Sequence, residues 1–379
     1  MTSDLAKILP GVATSFGVPG FADPLGITHQ IAGARRVALL LLDGMGWHNV
    51  PADPQRTPAF HAVMTGRLGT ARPISTGFPS TTATSIVSLC TGALAGEHGI
   101  LGYTLNVPES DRVLVHTRWT DDPDPQIWQP VPSILDALRA ADIAVTIVNR
   151  PDLAHSGLTQ VTTGQRGYVM APDPEALAEG MIAAVRRERR SFVYGYYSGM
   201  DSAAHLHGNS SAQWWKAAET ADILVQRLVE GLPPDAALII TADHGQLDIP
   251  ASRRIDIDDD ADLCKGLRVI AGEARVRYLY TEPGATRDVH ERWTEKLGSV
   301  AQVLLRDQVV ERGLFGLVRD QHRARIGDVV AICEDDWALV ATKREPAAES
   351  RLIGMHGGMT PIEKQIPLIT VAGDGTVSA

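Results

Sequence analysis

Five short apolar runs, each ending in polar residues, punctuate the chain: VALLLLD at 37–43, IAVTIVN at 143–149, FVYGYYS at 192–198, ALIITAD at 237–243 and PLITVAG at 367–373. Their length suits strands, and apolar residues that run on without alternation require cover on both faces. Between them the pattern shifts to helical spacing in SILDALRAA at 133–141, PEALAEGMIAAVRRER at 174–189 and AQWWKAAETADILVQRLVEGL at 212–232. Strands alternating with amphipathic helices predict an α/β sandwich. From about 250 to 345 the texture changes, with acidic DIDDDADL at 256–263, strand-like RVRYLYTE at 275–282 and a helix-like segment near 287–297. This predicts an inserted cap or substrate subdomain over 250–345, with 1–249 and 346–379 forming the core. No fixed-period repeat interrupts the reading.

Composition narrows the function classes. At 379 residues, with 21% charged residues and mean hydropathy −0.04, the chain has the balance of a soluble globular protein. A net charge of −10 argues against a surface that neutralises polymeric phosphate, so no nucleic-acid polymer is expected as a partner. A small anionic substrate would then need local positive charge, and bound metal is one source. Cys90, Cys264 and Cys333 are few, odd in number and far apart, which favours neither a disulfide framework nor a thiolate zinc site. The N-terminal stretch does not read as a secretory signal, and no apolar run approaches the roughly 20 residues of a membrane span. The expectation is a cytoplasmic protein with no membrane partner.

Several acidic and histidine residues fall where strands end. Asp43 closes one run and is followed by GMG; Asp243 and His244 close another and are followed by Gly245. Ligands of open α/β sheets collect outside the carboxyl ends of strands, so these groups can converge, although an Asp before Gly is also a common turn former. YYSGMDSAAHLHG places Asp201 and His205 four residues apart, on one face if the segment is helical. Carboxylate with imidazole suits zinc, while the plain alternative is a helix cap beside a surface histidine. His207, two residues on, would point elsewhere on a helix. His356 lies among glycines in GMHGGM, where the backbone can approach a site closely. GFPSTTATSIVSLCTG sets Ser80, Thr81 and Thr82 at the start of a helix-like stretch, as caps or as hydroxyls beside a phosphate-binding helix terminus.

In order, LLLDGMG, FPSTTATSIVSLCTG with EHGI, MDSAAHLHG, TADHG and MHGGM resemble the alkaline phosphatase superfamily, most closely its nucleotide pyrophosphatase/phosphodiesterase (type I phosphodiesterase) branch, from about residue 36 to 373. The resemblance implies a three-layer sandwich with a mostly parallel central sheet and a smaller inserted cap. It also implies two zinc ions, or other divalent metals, one held by Asp201, His205 and His356 and the other by Asp43, Asp243, His244 and the nucleophile. Counting back nine residues from Thr91 in the Thr-Gly pair gives Thr82 as that nucleophile, with Thr81 as runner-up. Two ions about 4 Å apart would clamp both ends of an in-line displacement, through a phosphothreonine intermediate.

The substrate is less defined. Ala83 follows Thr82 where nucleotide-hydrolysing members commonly carry an aromatic residue, and gap-free counting puts Tyr103 where they carry an Asn; Tyr103 or Asn106 is expected to contact the phosphoryl group. The nucleophile segment has no evident arginine for the extra charge of a monoester, which favours a diester, although Arg72 is near enough to keep a monoester in play. The leading expectation is therefore a phosphodiesterase or pyrophosphatase acting on a small phosphorylated substrate. A phosphonoacetate hydrolase-type enzyme is the alternative, with Lys265, Arg275 and Arg277 as available cations, and a metal-stabilised binding protein is the non-enzymatic one. The acidic stretch reads as a solvated edge, and Trp47, Trp119, Trp128, Trp214 and Trp215 either line the pocket or pack.

Overall fold

The computed structural model describes residues 3–373. Its main sheet has seven strands: β1 (Arg36–Leu42), β2 (Thr70–Ser75), β3 (Ala144–Asn149), β4 (Tyr168–Met170), β5 (Ser191–Tyr197), β6 (Ala236–Thr241) and β7 (Gln365–Ala372). The spatial order is β2-β7-β6-β1-β5-β3-β4. β7 runs antiparallel to both of its neighbours, and the other pairings are parallel. The five strands expected from apolar runs are all present. The two additional strands are the edges, where half-exposed TARPIS and the three-residue YVM lack the continuous apolar run of a buried strand.

Helices flank the sheet in two groups. Ala212–Gly231 packs on Pro174–Arg187, Gly199–His207 and Pro58–Met64, while Ile8–Ser15, Thr82–Thr91 and Ile134–Ala140 pack on one another. The long helices start at side-chain caps: Asp173 accepts from the Ala176 N–H, and Ser211 from the Trp214 N–H. Their apolar stripes, Leu177, Met181 and Val185 on one and Trp214, Ala218, Val225 and Leu228 on the other, are buried in the main core. Each such large side chain removed from water contributes roughly 1.5–3 kcal/mol.

A second lobe holds an antiparallel sheet of four strands in the order Leu267–Glu273, Val276–Thr281, Val329–Cys333 and Ala301–Leu305. Side chains alternate between its faces, as the period of two in a strand demands. Leu279, Val329, Ala331 and Cys333 meet Trp293 and Leu297 of helix Thr286–Leu297, whereas Tyr278, Tyr280, Val330 and Ile332 turn the other way. That inner face meets Ile100, Leu101, Leu105, Trp119 and Trp128. Of these, Leu105 lies in the hairpin Thr104–Val107/Arg112–Val115. The Tyr278 hydroxyl donates to the Leu101 carbonyl at 2.5 Å and the Thr104 hydroxyl to the Gly272 carbonyl at 2.7 Å. The strand ending at Glu273 is thereby held against the hairpin. Among the described residues no helix is long and apolar enough to cross a membrane.

Candidate active site

Asp43 follows β1, Asp201 and His205 lie on helix Gly199–His207 just after β5, and Asp243 and His244 follow β6, so three adjacent parallel strands deliver five side chains to one edge. The segment 199–207 is helical, and the four-residue spacing brings His205 Nε2 to 3.2 Å from Asp201 Oδ1. His207 is exposed. Gly44 has φ +72°, and a β-carbon there would lie 3.0 Å from Cβ of Asp201, so glycine permits this close approach. Thr82 opens helix Thr82–Thr91, and its hydroxyl is 3.0 Å from His244 Nε2. The same nitrogen is 3.4 Å from Asp43 Oδ1 and 3.3 Å from Asp243 Oδ2.

His356 arrives from the far end of the chain. Ser80 ties its loop to the Thr82 segment, donating its hydroxyl to the Gly358 carbonyl at 2.8 Å and its N–H to the Gly357 carbonyl at 3.2 Å. The ring of His356 stacks on that of His244 at a centroid distance of 3.6 Å, and its Nε2 is 3.9 Å from Asp201 Oδ1. Two groups of donors result, Asp43 with Asp243 and His244, and Asp201 with His244 and His356; within each, one donor atom per residue lies within 4.8 Å of the others. His205, beside Asp201, has its ring 5.2 Å from that of His356.

These residues fit divalent metal on three counts. Asp43 Oδ1, Asp201 Oδ1 and Asp243 Oδ2 are buried without a hydrogen-bond partner, and carboxylate oxygens left so are costly unless a cation compensates them. The Nδ1 atoms of His205 and His356 meet the carbonyls of Gly354 at 2.7 Å and Ser80 at 3.0 Å, an arrangement that assigns the proton to Nδ1 and turns a free Nε2 to the site. Burial, then the neighbouring His244 and His205, presses the pKa of His356 well down, keeping its imidazole in the neutral form a metal requires. Burial, then Asp243 and Asp201, lifts Asp43, which also accepts the Tyr196 hydroxyl. For Asp201 the upward push of burial is outweighed by His205, His356 and His244, and its carboxyl is held below the usual range. The arrangement is consistent with a binuclear metal site built on two His/Asp groups.

Two cavities adjoin the site. One, of about 210 Å³, is lined by Tyr103, His205, Glu273, Met355 and His356 among others. The other, of about 90 Å³, is lined by Thr82, Asn149 and Tyr196 with several further hydroxyls. Tyr103 thus faces the first, its hydroxyl donating to Glu349 at 3.3 Å, and burial pushes that hydroxyl up to about 12. Asn106 is buried in the hairpin strand Thr104–Val107, with its N–H on the Tyr280 hydroxyl of the second lobe, and lines neither cavity. Thr81 is buried and stands at the helix cap.

Other side chains weighed from sequence have duties elsewhere. Arg72 donates to the Leu25 carbonyl, Arg275 is fully buried in a bidentate pair with Glu363, Arg277 is paired with Glu345, and Lys265 is exposed. Trp119, Trp128 and Trp214 are core residues, and no tryptophan lines the two cavities. The acidic stretch is paired with Lys296, Lys343 and Arg344. Glu273 and Tyr196 join the site without a signal in the sequence. Tyr196 sits in an aromatic strand run, and Glu273 comes from a strand of the second lobe; burial lifts Glu273 to about 8.

Comparison with known proteins places this geometry. The family model for type I phosphodiesterase/nucleotide pyrophosphatase matches residues 37–359. Murine ectonucleotide pyrophosphatase/phosphodiesterase 5 has the same fold at 18% identity, with a TM-score of 0.71 over 88% of this chain and 87% of that one. Its human counterpart is 20% identical, with a TM-score of 0.68 over the same shares. Phosphonoacetate hydrolase from Sinorhizobium meliloti, in complex with phosphonoformate, is 19% identical with a TM-score of 0.67 over 89% of each chain. Among curated protein sequences none matches. With the model spanning most of its length, the chain belongs to the type I phosphodiesterase/nucleotide pyrophosphatase family of hydrolases, within the alkaline phosphatase superfamily.

Proposed function

We propose that the chain is a metal-dependent hydrolase of phosphodiester or pyrophosphate bonds that works through a covalent intermediate on Thr82. The observation that carries this reading is the Thr82 hydroxyl, 3.0 Å from His244 Nε2 where the two His/Asp groups meet. Thr81 is the weaker candidate, because it is buried at the helix cap, whereas Thr82 is partly exposed. Divalent ions, zinc by the donor set, held by Asp43, Asp243 and His244 and by Asp201, His205 and His356, would supply positive charge for an ionised hydroxyl and for the departing oxygen. Thr82 attacks phosphorus in line; its Oγ–P bond forms as the bond to the leaving oxygen breaks, and the hydroxyl proton passes to solvent. Free N–H groups at the start of helix Thr82–Thr91 add partial positive charge beside the phosphoryl oxygens. Water then cleaves the Thr82–phosphorus ester and restores the hydroxyl.

A small phosphorylated substrate accords with the murine relative, whose inactive variant is in complex with AMP. A diester is favoured over a monoester, since Arg72 is engaged with Leu25 and no arginine lines either cavity. The phosphonoacetate reading has less support, because Glu363 and Glu345 occupy the two cap arginines that a substrate carboxylate would use. Zinc-loaded protein is expected to hydrolyse bis(4-nitrophenyl) phosphate, with Thr82→Ala losing on the order of a thousandfold or more. Unchanged turnover by Thr82→Ala in protein free of divalent metal would refute the reading. Acetate release from phosphonoacetate without diester turnover would favour the phosphonate alternative.

A further inference from the structure

The 210 Å³ cavity has a lining that a phosphoryl group alone does not explain. Three carboxylates, Glu273, Glu345 and Glu349, contribute to its wall, and neither lysine nor arginine does. Glu345 is neutralised by paired bonds from Arg277. Glu349 is different: its close polar partners are the Tyr103 hydroxyl at 3.3 Å and Arg118 at 3.9 Å, and the Arg118 side chain is 67% exposed and screened by solvent. Burial, then the nearness of Glu345, pushes the Glu349 carboxyl up, as expected of an acid short of positive charge. Glu273 is half-buried, with its Oε2 3.6 Å from His356 Nδ1 and its shielded Oε1 without a hydrogen-bond partner, and in either protonation state its carboxyl group offers an acceptor. Leu352 and Met355 supply apolar wall between these polar groups.

The cavity also has a position in the reaction. It is lined by His205 and His356, whereas Thr82 lines the other cavity. In-line attack sends the leaving group away from the nucleophile, and so toward the His205/His356 side.

We infer that this cavity receives a leaving group carrying a primary or secondary ammonium, held by Glu349 and Glu273 with its carbon chain against Leu352 and Met355. The inference rests on the phosphodiesterase reading. Carboxylate oxygens short of partners call for N–H donors. Tyr103 is the one Phe, Tyr or Trp in the lining, so a quaternary ammonium would find no aromatic cage. In the step itself the phosphorus–oxygen bond to an amino alcohol breaks as the Thr82 ester forms, and the alcohol leaves after gaining a proton.

Matched methyl diesters test this on the zinc-loaded full chain, with release of the second alcohol read by mass spectrometry: methyl 2-aminoethyl phosphate, methyl propyl phosphate and methyl 2-(trimethylammonio)ethyl phosphate. The aminoethyl diester is expected to exceed the propyl diester in kcat/KM by about tenfold, as a hydrogen bond to a charged group implies, and to exceed the trimethylammonio diester as well. Glu349→Gln should reduce the aminoethyl-over-propyl preference to within about threefold, acting on the charged substrate more than on the neutral one. Equal or faster turnover of the propyl diester, a preference for the trimethylammonio diester, or a preference unchanged in Glu349→Gln would overturn the inference. Hydrolysis of bis(4-nitrophenyl) phosphate in the same preparation separates the two claims. Turnover there with no ammonium preference overturns the inference alone; no turnover of any diester with metal bound overturns the phosphodiesterase reading and the inference with it.

Discussion

Gly44 sets the spacing between the first strand and the helix that carries Asp201. At φ +72° any other residue meets backbone strain, and an added β-carbon would press on Asp201 from 3.0 Å. Gly44→Ala should therefore cost on the order of 1–2 kcal/mol from the left-handed conformation alone, and it should weaken zinc binding by displacing Asp201. Urea unfolding with and without zinc measures both; unaltered zinc affinity would mean that Asp201 does not need this approach. Site residues differ in how visible they are along the chain. Asp43, Asp243 and Thr82 stand at ends or starts of elements that the apolar pattern marks, so a strand-end rule finds their neighbourhood before any motif is invoked. Glu273 and Tyr196 are chemically unremarkable in sequence. Glu273 gains its place only because Gly357, at φ +117°, leaves no side chain between it and the His356 loop, where a β-carbon would lie 2.6 Å from Glu273 Cδ.

At the scale of elements, the buried Arg275–Glu363 pair couples the second lobe to the loop of His356. Both guanidinium contacts are 2.9 Å, and Glu363 also accepts the Gly358 N–H at 2.8 Å and the Thr360 hydroxyl at 2.7 Å. Removing one member leaves an uncompensated buried charge, so Arg275→Met is expected to cost about 3–5 kcal/mol in urea unfolding. Arg275→Met combined with Glu363→Gln should recover part of that loss, and a double-mutant cycle without coupling would contradict the pairing. The five inner strands are legible in the sequence because an apolar run of strand length must be covered on both faces, and a place inside a sheet flanked by helices provides that cover. The hairpin at 104–115 is not, since its strands are four residues each and its turn carries Glu109 and Asp111 at positive φ. Its pairing with the second lobe depends on long-range contacts to Gly272 and Tyr280 that no local pattern encodes.

For the whole molecule, metal and acid should act on stability in distinguishable ways. Gathering Asp43, Asp201 and Asp243 in a buried site makes the metal-free protein self-repelling, and an ion at about a hundredfold its dissociation constant adds about 2.7 kcal/mol. Calorimetry is thus expected to show chelated protein melting a few degrees lower, with zinc restoring the transition. Acid acts through His98, at the end of helix Ala95–His98, where burial depresses its pKa to about 3. The unfolded chain takes up that proton near pH 6.5 while the folded chain refuses it, so stability falls as pH drops below 6.5. Between pH 7 and 5 the contribution of His98 is about 2 kcal/mol. His98→Gln should lose that much less stability over the interval, and an identical pH dependence would contradict the assignment.

The central claim, a covalent route through Thr82, is tested most directly by trapping the intermediate. Zinc-loaded protein quenched during turnover of bis(4-nitrophenyl) phosphate and digested should carry a 4-nitrophenylphosphoryl group on Thr82, seen as a mass increase on that peptide and absent in Thr82→Ala. Turnover at the wild-type rate by Thr82→Ala, or the same adduct on Thr81 instead, would contradict it.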